Sequence, residues 1–393
     1  MPGYAWTPSG GFRVVYEHAN RLVSRGHQVV VVHPRHLEFY EAPRPSTARG
    51  RLRNAKFALM EFVARPSIHW QFIDKRVSLL FVPSSDKRYI PNSDVLFATA
   101  WNTVRPVMEY PIEKGEKCYF IQGLETWMGP ADLVQSTWRT PIKKAVVSRW
   151  LFDVGRLLGA DELTYIPNAI DHSLFRVIRP ISQRVRQVVM ACSSVSTKRI
   201  QDGIEALKIA KMKFPDLNVV LFGAGRRPAS IPKWMSYARN PPQEDIVKEF
   251  YNNSSIVLSS SVSEGFALPP AEGAACGCSI VATDSGGIRD FAEHDVTALL
   301  SPGGRPEALA KNLCLLLADD NLRIRLARAA NDRIKQFTWE RASRLLEDFI
   351  TCSGQQFRDR HSASIPKASD LGVGVPSSKN PISAYNPVAA GNE

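Results

Sequence analysis

Residues 255–283 constrain the fold more than any other stretch. A short apolar run, 255–260, leads into a loop, the pair Pro269-Pro270, the small-residue sequence Gly273-Ala274-Ala275-Cys276-Gly277 and a second apolar run, 279–283. Proline is tolerated in a helix's first turn, where its missing N–H would have no partner, so the pair marks a helix start. The reading is strand, loop, helix, strand, the repeating unit of a parallel α/β sheet. Two carboxylates bracket the helix start: Glu264 in the loop before it and Glu272 in its first turn, with seven residues between them. Backbone N–H groups around Phe266, Ala267 and Leu268 have no helical acceptor and can meet an anion. A Glu in a first turn can also simply complement the helix dipole. Alone, the pair fits either role.

The rest of the chain repeats the pattern. Val- and Ile-rich runs fall between helical patterns at 28–33, 77–83, 94–100, 117–122 and 145–148, then at 187–193, 217–223, 255–260 and 279–283. Continuous apolar runs suit parallel strands buried on both faces. The alternation predicts an α/β chain with two doubly wound, Rossmann-like domains, and 393 residues suffice for both. A break at 176–187, where Ile178-Arg-Pro-Ile-Ser interrupts the pattern, separates residues 1–178 from 179–352. A helical pattern over 339–349 ends the second domain. Residues 353–393, rich in Ser, Pro and Gly without a period, read as a disordered tail.

Residues 263–300, SEGFALPPAEGAACGCSIVATDSGGIRDFAEHDVTALL, resemble the donor-binding signature of the retaining glycosyltransferases of family 4. That signature is E-G-F-G-x-x-x-x-E, then a small-residue helix, a strand and a Gly-Gly turn, here Gly286-Gly287. Ala267 stands where the family usually has Gly. The likeness extends to about residue 350 and implies the glycosyltransferase-B architecture: two domains facing a cleft, acceptor on the first, nucleotide-sugar donor on the second. It implies that Glu272 holds the ribose hydroxyls, Glu264 touches the donor sugar, and Gly265, Phe266, Ala267 and Leu268 offer amides to the diphosphate. Lys198-Arg199, after the run 187–193, would add positive charge there. Family members usually carry an Arg and a Lys five residues apart at this point. Lys198 matches, Ser193 replaces the Arg, and Arg199 is a substitute. A solvated basic pair on a helix is the plainer reading.

In the first domain, Ser9-Gly10-Gly11 precedes a helical pattern with Val15, Ala19, Leu22 and Val23 on one face. A Gly pair entering a helix lets backbone approach a phosphate or sugar, and tight turns need Gly as well. The resemblance places Gly10, Gly11, Asn102 and Gln122 along the acceptor entrance. Gln122 ends a strand pattern where many family members have His. It can hydrogen-bond a hydroxyl but cannot shuttle a proton. The Gln122-Gly-Leu-Glu125 sequence resembles the branch acting in surface polysaccharide assembly. Glu125 is the best ionisable candidate of this domain, and equally reads as a loop surface charge. Pro167-Asn168-Ala169-Ile170-Asp171 resembles the family's P-N-G-I-D turn.

These residues lead to the expectation of a retaining glycosyltransferase that moves a sugar from a nucleotide-sugar to a glycan or lipid-linked acceptor, with electrostatic stabilisation of the departing phosphate. No Asp-x-Asp occurs and the eight His show no ligand spacing, so neither a metal nor another cofactor is expected. An epimerase or phosphorylase of the same fold, or an inactive paralogue in a glycan-assembly complex, stands as the alternative.

The formal net charge of +12 predicts acidic partners. The basic amphipathic stretch 44–65 fits an anionic membrane surface, or a helix packed on the acceptor domain. Nucleic acid is not expected: no binding motif is present, and aromatics do not interleave with the basic run. Six scattered cysteines and the lack of any apolar run of bilayer length fit a cytoplasmic chain, peripheral at the inner face of the membrane. Finally, Pro2, Gly3 and Pro8 are poor strand residues. A doubly wound domain normally opens with a strand feeding its Gly-rich loop, so the first strand of this domain is expected to be missing.

Overall fold

The structure, a computed structural model, describes residues 1–4, 7–37 and 68–364. The basic stretch 44–65 and the residues beyond 364 lie outside the described residues. Among the described residues every strand pair is parallel, as the continuous apolar runs predict. In the first domain β1 (Val30–His36) pairs with β2 (Ser78–Ser84), while β3 (Val95–Ala98), β4 (Glu116–Ile121), β5 (Lys143–Val146) and β6 (Leu163–Tyr165) form a sheet in that order. The Met1 amine donates to the Val32 carbonyl at 3.0 Å, and the ring of His33 lies 2.9 Å from the Gly3 carbonyl.

The second domain holds β7 (Val185–Ala191), β8 (Asn218–Gly223), β9 (Ser236–Arg239), β10 (Ser254–Ser259), β11 (Ser279–Thr283) and β12 (Ala298–Ser301), in the order β12-β11-β10-β7-β8-β9. Connections run outward in both directions from the central β7 and β10. Their carboxyl ends form a topological switch point, where a crevice opens in sheets of this kind. The loop after β7 carries Lys198 and the loop after β10 carries Glu264, so sequence-distant residues meet there.

Three strands escape sequence reading: β6, β9 and β12. Their sequences, Leu-Thr-Tyr, Ser-Tyr-Ala-Arg and Ala-Leu-Leu-Ser, are too short or too polar to stand out.

The closing helix, Trp339–Ser364, corrects two expectations. It continues to Ser364, although the sequence reading places a disordered tail from residue 353. It also packs on the first domain rather than ending the second. Trp339, Ala342, Leu346 and Phe349 are buried at helical spacing. The Trp339 ring meets His18 edge-on at 5.2 Å between centroids, with the Arg21 guanidinium 4.8 Å above it. Phe349 packs near Phe97, and Glu347 accepts from Arg25 and His27. All five partners belong to the first domain, so the chain crosses between domains twice. The crossings are joined where Ile170 N–H donates to the Phe337 carbonyl at 3.0 Å.

Candidate functional site between the domains

A cleft of about 2170 Å³ separates the two domains. Its second-domain wall is the signature itself. The helix Leu268–Ala275 starts at Leu268 with Pro269 in its first turn, as the proline pair predicts. Glu272 therefore lies one turn further into the helix than expected. Its N-cap residue is Ala267, at φ 71° and ψ 65°. This left-handed conformation crowds a Cβ against the backbone, which explains why glycine suits the position. Among the described residues, no acceptor meets the N–H groups of Gly265, Phe266, Ala267 or Leu268. These free donors sit at the positive end of a helix, an arrangement that suits an anion.

The carboxylates are held differently. Glu264 continues the sheet edge: its N–H donates to Ser285 and its carbonyl accepts from Gly287. That geometry aims its side chain at Lys198, whose Nζ lies 2.6 Å from Oε1. Glu272 is 6 % exposed. Its Oε1 accepts from Arg13 at 2.9 Å, across the cleft, and its Oε2 accepts from the Tyr251 hydroxyl at 3.1 Å. Burial leaves its pKa raised, against the opposing pull of the Arg13 charge and these two hydrogen bonds. Sequence reasoning missed both partners. Tyr251 ends a π-helical stretch, Ile246–Tyr251, with no readable signal. Arg13 was findable, since it falls one helical turn after Gly10.

The first-domain wall is built from two features. The helix Gly10–Ser24 begins against the signature helix: a Cβ on Gly10 would lie 3.3 Å from Leu268 Cδ1. Gly11 faces the Gln122 amide, 3.6 Å from an added Cβ to Nε2. The end of β4 then brings Gln122 backbone against the signature loop. A Cβ on Gly265 would sit only 1.9 Å from the Gln122 carbonyl oxygen. Gly265 is thus required by contact between the domains.

Glu125 corrects the surface-charge reading. Its carboxylate accepts from the Trp101 N–H at 2.7 Å, at the start of the helix Trp101–Glu109. Burial pushes its pKa up to about 7, against the hydrogen bonds from Trp101 and Tyr119. Its backbone is left-handed, at φ 59°.

Two further candidates fall short. Asn102 does not line the cleft, whose wall there is Thr99 and Ala100. It sits in the first turn of Trp101–Glu109, and its enclosed amide oxygen has no hydrogen-bond partner. Arg199 borders the cleft but turns its guanidinium to Asp202, at 2.5 and 3.0 Å. As N-cap of Ile200–Lys213 it reaches its own helix more readily than a ligand. Gly10, Gly11, Gln122, Glu125, Lys198, Glu264 to Leu268 and Glu272 all border the same space. Cys276 and Cys278 are buried and unbridged, as their spacing suggests.

Known proteins fit this geometry. Residues 174–333 match the family model described as glycosyl transferases group 1. The chain is 35% identical over 221 residues to the D-inositol 3-phosphate glycosyltransferase of Xylanimonas cellulosilytica, covering 50% of this chain and 53% of that relative. A second relative of the same name, from Salinispora tropica, is 33% identical over 129 residues, 29% of this chain and 27% of its own. The chain thus spans about half, or less, of the length of these curated relatives. Among solved structures, sucrose-phosphate synthase from Thermosynechococcus elongatus superposes with a TM-score of 0.62 at 16% identity, covering 91% of this chain and 94% of that one. Anabaena HepE in complex with UDP-glucose superposes with a TM-score of 0.58 at 15% identity, over 92% and 98% of the two chains. The structural likeness establishes the fold, two Rossmann-like domains of the glycosyltransferase-B kind. The family resemblance read from the signature is borne out by the match of residues 174–333 to the glycosyl transferases group 1 model.

Proposed function

We propose that this group 1 domain and the domain facing it transfer a sugar from a nucleoside-diphosphate sugar to a glycan or lipid-linked acceptor, with retention of anomeric configuration and without a metal ion. One observation carries the reading. The free N–H groups before Leu268–Ala275, the Lys198–Glu264 pair and the buried Glu272 share one cleft with the Gly10-Gly11 loop of the opposite domain. A diphosphate would lie on the free amides and Lys198, the ribose hydroxyls on Glu272, and the sugar near Glu264. Positive charge and oriented dipoles at the phosphate would stabilise the leaving group as the glycosidic bond breaks.

The acceptor would enter past Gly11 and Gln122. The Gln122 amide can orient a hydroxyl, and the leaving phosphate oxygen would take the acceptor's proton on the same face. Glu125, bound to Trp101 N–H, would shape this wall. The nucleotide and the nucleotide-sugar in the HepE and related crystal structures support the donor class. Surface polysaccharide assembly, at the inner face of the membrane, is the setting we favour. It rests on the Gln122-Gly-Leu-Glu125 variant and the charge of +12. Among the described residues, no helix is long and apolar enough to cross a membrane.

The test is a panel of UDP-, dTDP-, GDP- and ADP-sugars scored by nucleoside diphosphate release, with and without EDTA. The expected result is release from one donor class, unaffected by EDTA. No release and no binding across the panel would sink the transferase reading, and activity lost in EDTA and restored by magnesium would sink metal independence.

A further inference from the structure

One cross-cleft contact has no role in the function proposed above. Arg13 belongs to the first domain, yet its Nη1 lies 2.9 Å from Glu272 Oε1 in the second. We propose that Arg13 is a donor-site residue supplied across the cleft, and that an arriving nucleotide-sugar draws its guanidinium off Glu272 and onto the donor phosphates. This rests on the function proposed above.

Both Glu272 oxygens are already engaged, Oε1 by Arg13 and Oε2 by Tyr251. A donor hydroxyl gains Oε1 only by displacing or sharing the guanidinium. Arg13 is the partner able to move, because its side chain is partly exposed whereas Tyr251 is fully buried in the second domain. A displaced guanidinium needs another anion. Its Nε is already buried with no acceptor, so the side chain is one hydrogen bond short where it stands. Donor phosphates would supply that bond.

The position also fits. Gly10 touches Leu268, and Arg13 stands one turn along from Gly10 on the same helix face. The free amides of Gly265 to Leu268 begin at that contact. Phosphates seated on them would lie beside the start of Arg13's own helix. Of the neighbouring cations, Lys198 is bound to Glu264 and Arg199 to Asp202. Arg13 differs because the donor itself displaces its partner. An arginine of one domain gripping an anion on the other would also reward closure of the cleft, and its planar fork suits phosphate oxygens.

The experiment measures binding of UDP, dTDP, GDP and ADP, and of each parent nucleoside, by calorimetry on the full chain. The quantity read is the preference for the diphosphate over its nucleoside. In Arg13→Met this preference falls about tenfold or more, the loss expected for a charge-assisted hydrogen bond, while nucleoside affinity is unchanged or improved. In Glu272→Gln nucleoside affinity falls but the preference is kept or rises, because the guanidinium starts unpaired. An unchanged preference in Arg13→Met overturns the proposal, and so does equal weakening of diphosphate and nucleoside. Should Arg13→Met fail to fold, a reduced preference in Glu272→Gln overturns it alone. If the wild type binds none of the four diphosphates, the transferase reading itself fails.

Discussion

At the scale of single residues, the signature's one departure is where strain concentrates. Ala267 holds φ 71°, a conformation costing an L-residue about 1–2 kcal/mol. Glycine removes that cost but gives the unfolded chain more freedom, worth about 0.5–1 kcal/mol. Ala267→Gly should therefore stabilise the protein by about 0.5–1 kcal/mol, a melting rise of about 1–3 °C for a chain of this size. A lower melting temperature would show that the Ala267 methyl group packs better than its backbone suffers. Glu125 offers a second test. Its pKa is raised from 4.5 to about 7, so the folded state holds this proton more tightly than the unfolded chain. The resulting stability is complete below pH 4.5 and is lost as pH rises to 7, at no more than about 1.4 kcal/mol per pH unit. Glu125→Gln keeps an acceptor for Trp101 N–H and cannot titrate. Relative to this variant, the wild type should lose stability from pH 4.5 to 7 in urea titrations. Parallel curves would mean that the carboxylate is hydrated. Glu264, Glu272 and Lys198 were legible as cleft residues because the signature and the end of a strand run mark them in the sequence. Tyr251 was not, since only tertiary packing and a change in helix winding bring it in, whereas the Asp202 that occupies Arg199 is an i,i+3 neighbour whose spacing was readable.

At the scale of elements, strands of five to seven residues with Val and Ile were readable, as were the four-residue β3 and β5, which lie in or beside longer apolar runs, while the short β6, β9 and β12 were not. Length fails there because a short apolar run carries no period. The closing helix exposes a different limit. Its apolar spacing was visible over 339–349, but spacing alone cannot say which domain the stripe will cover. The answer lay in Phe97, His18 and Arg21, which present a complementary surface only once folded. This packing predicts that Trp339→Ala will cost about 3 kcal/mol, as for other buried aromatics. The urea midpoint should shift accordingly, and a cost below about 1 kcal/mol would mean that the helix is held mainly by its exposed ion pairs, which are worth little.

At the scale of the whole molecule, the two doubly wound domains follow from the alternating pattern, and the cleft follows from the switch point between β7 and β10. What the sequence could not convey is how tightly the cleft closes at its floor. Gly265 and Gln122 meet backbone to backbone, with no room for a methyl group. Gly265→Ala would wedge the domains apart by more than an ångström, and misplacement on that scale costs about a hundredfold in rate. The variant should keep its fold, show a larger radius of gyration in X-ray scattering and lose about that much of the transfer activity proposed above. Unchanged scattering with full activity would show that the loop yields instead.

The paired crossings at Ile170 and Phe337 have a mechanical consequence. Two adjacent peptide strands tied by a hydrogen bond twist and bend less freely than one. They should allow the domains fewer directions of relative rotation than a single linker would. Opening and closing should therefore follow a narrow range of paths, which favours the return of Arg13 to Glu272. A protease nick in either crossing alone would leave the halves bound to each other, free to pivot along more than one path.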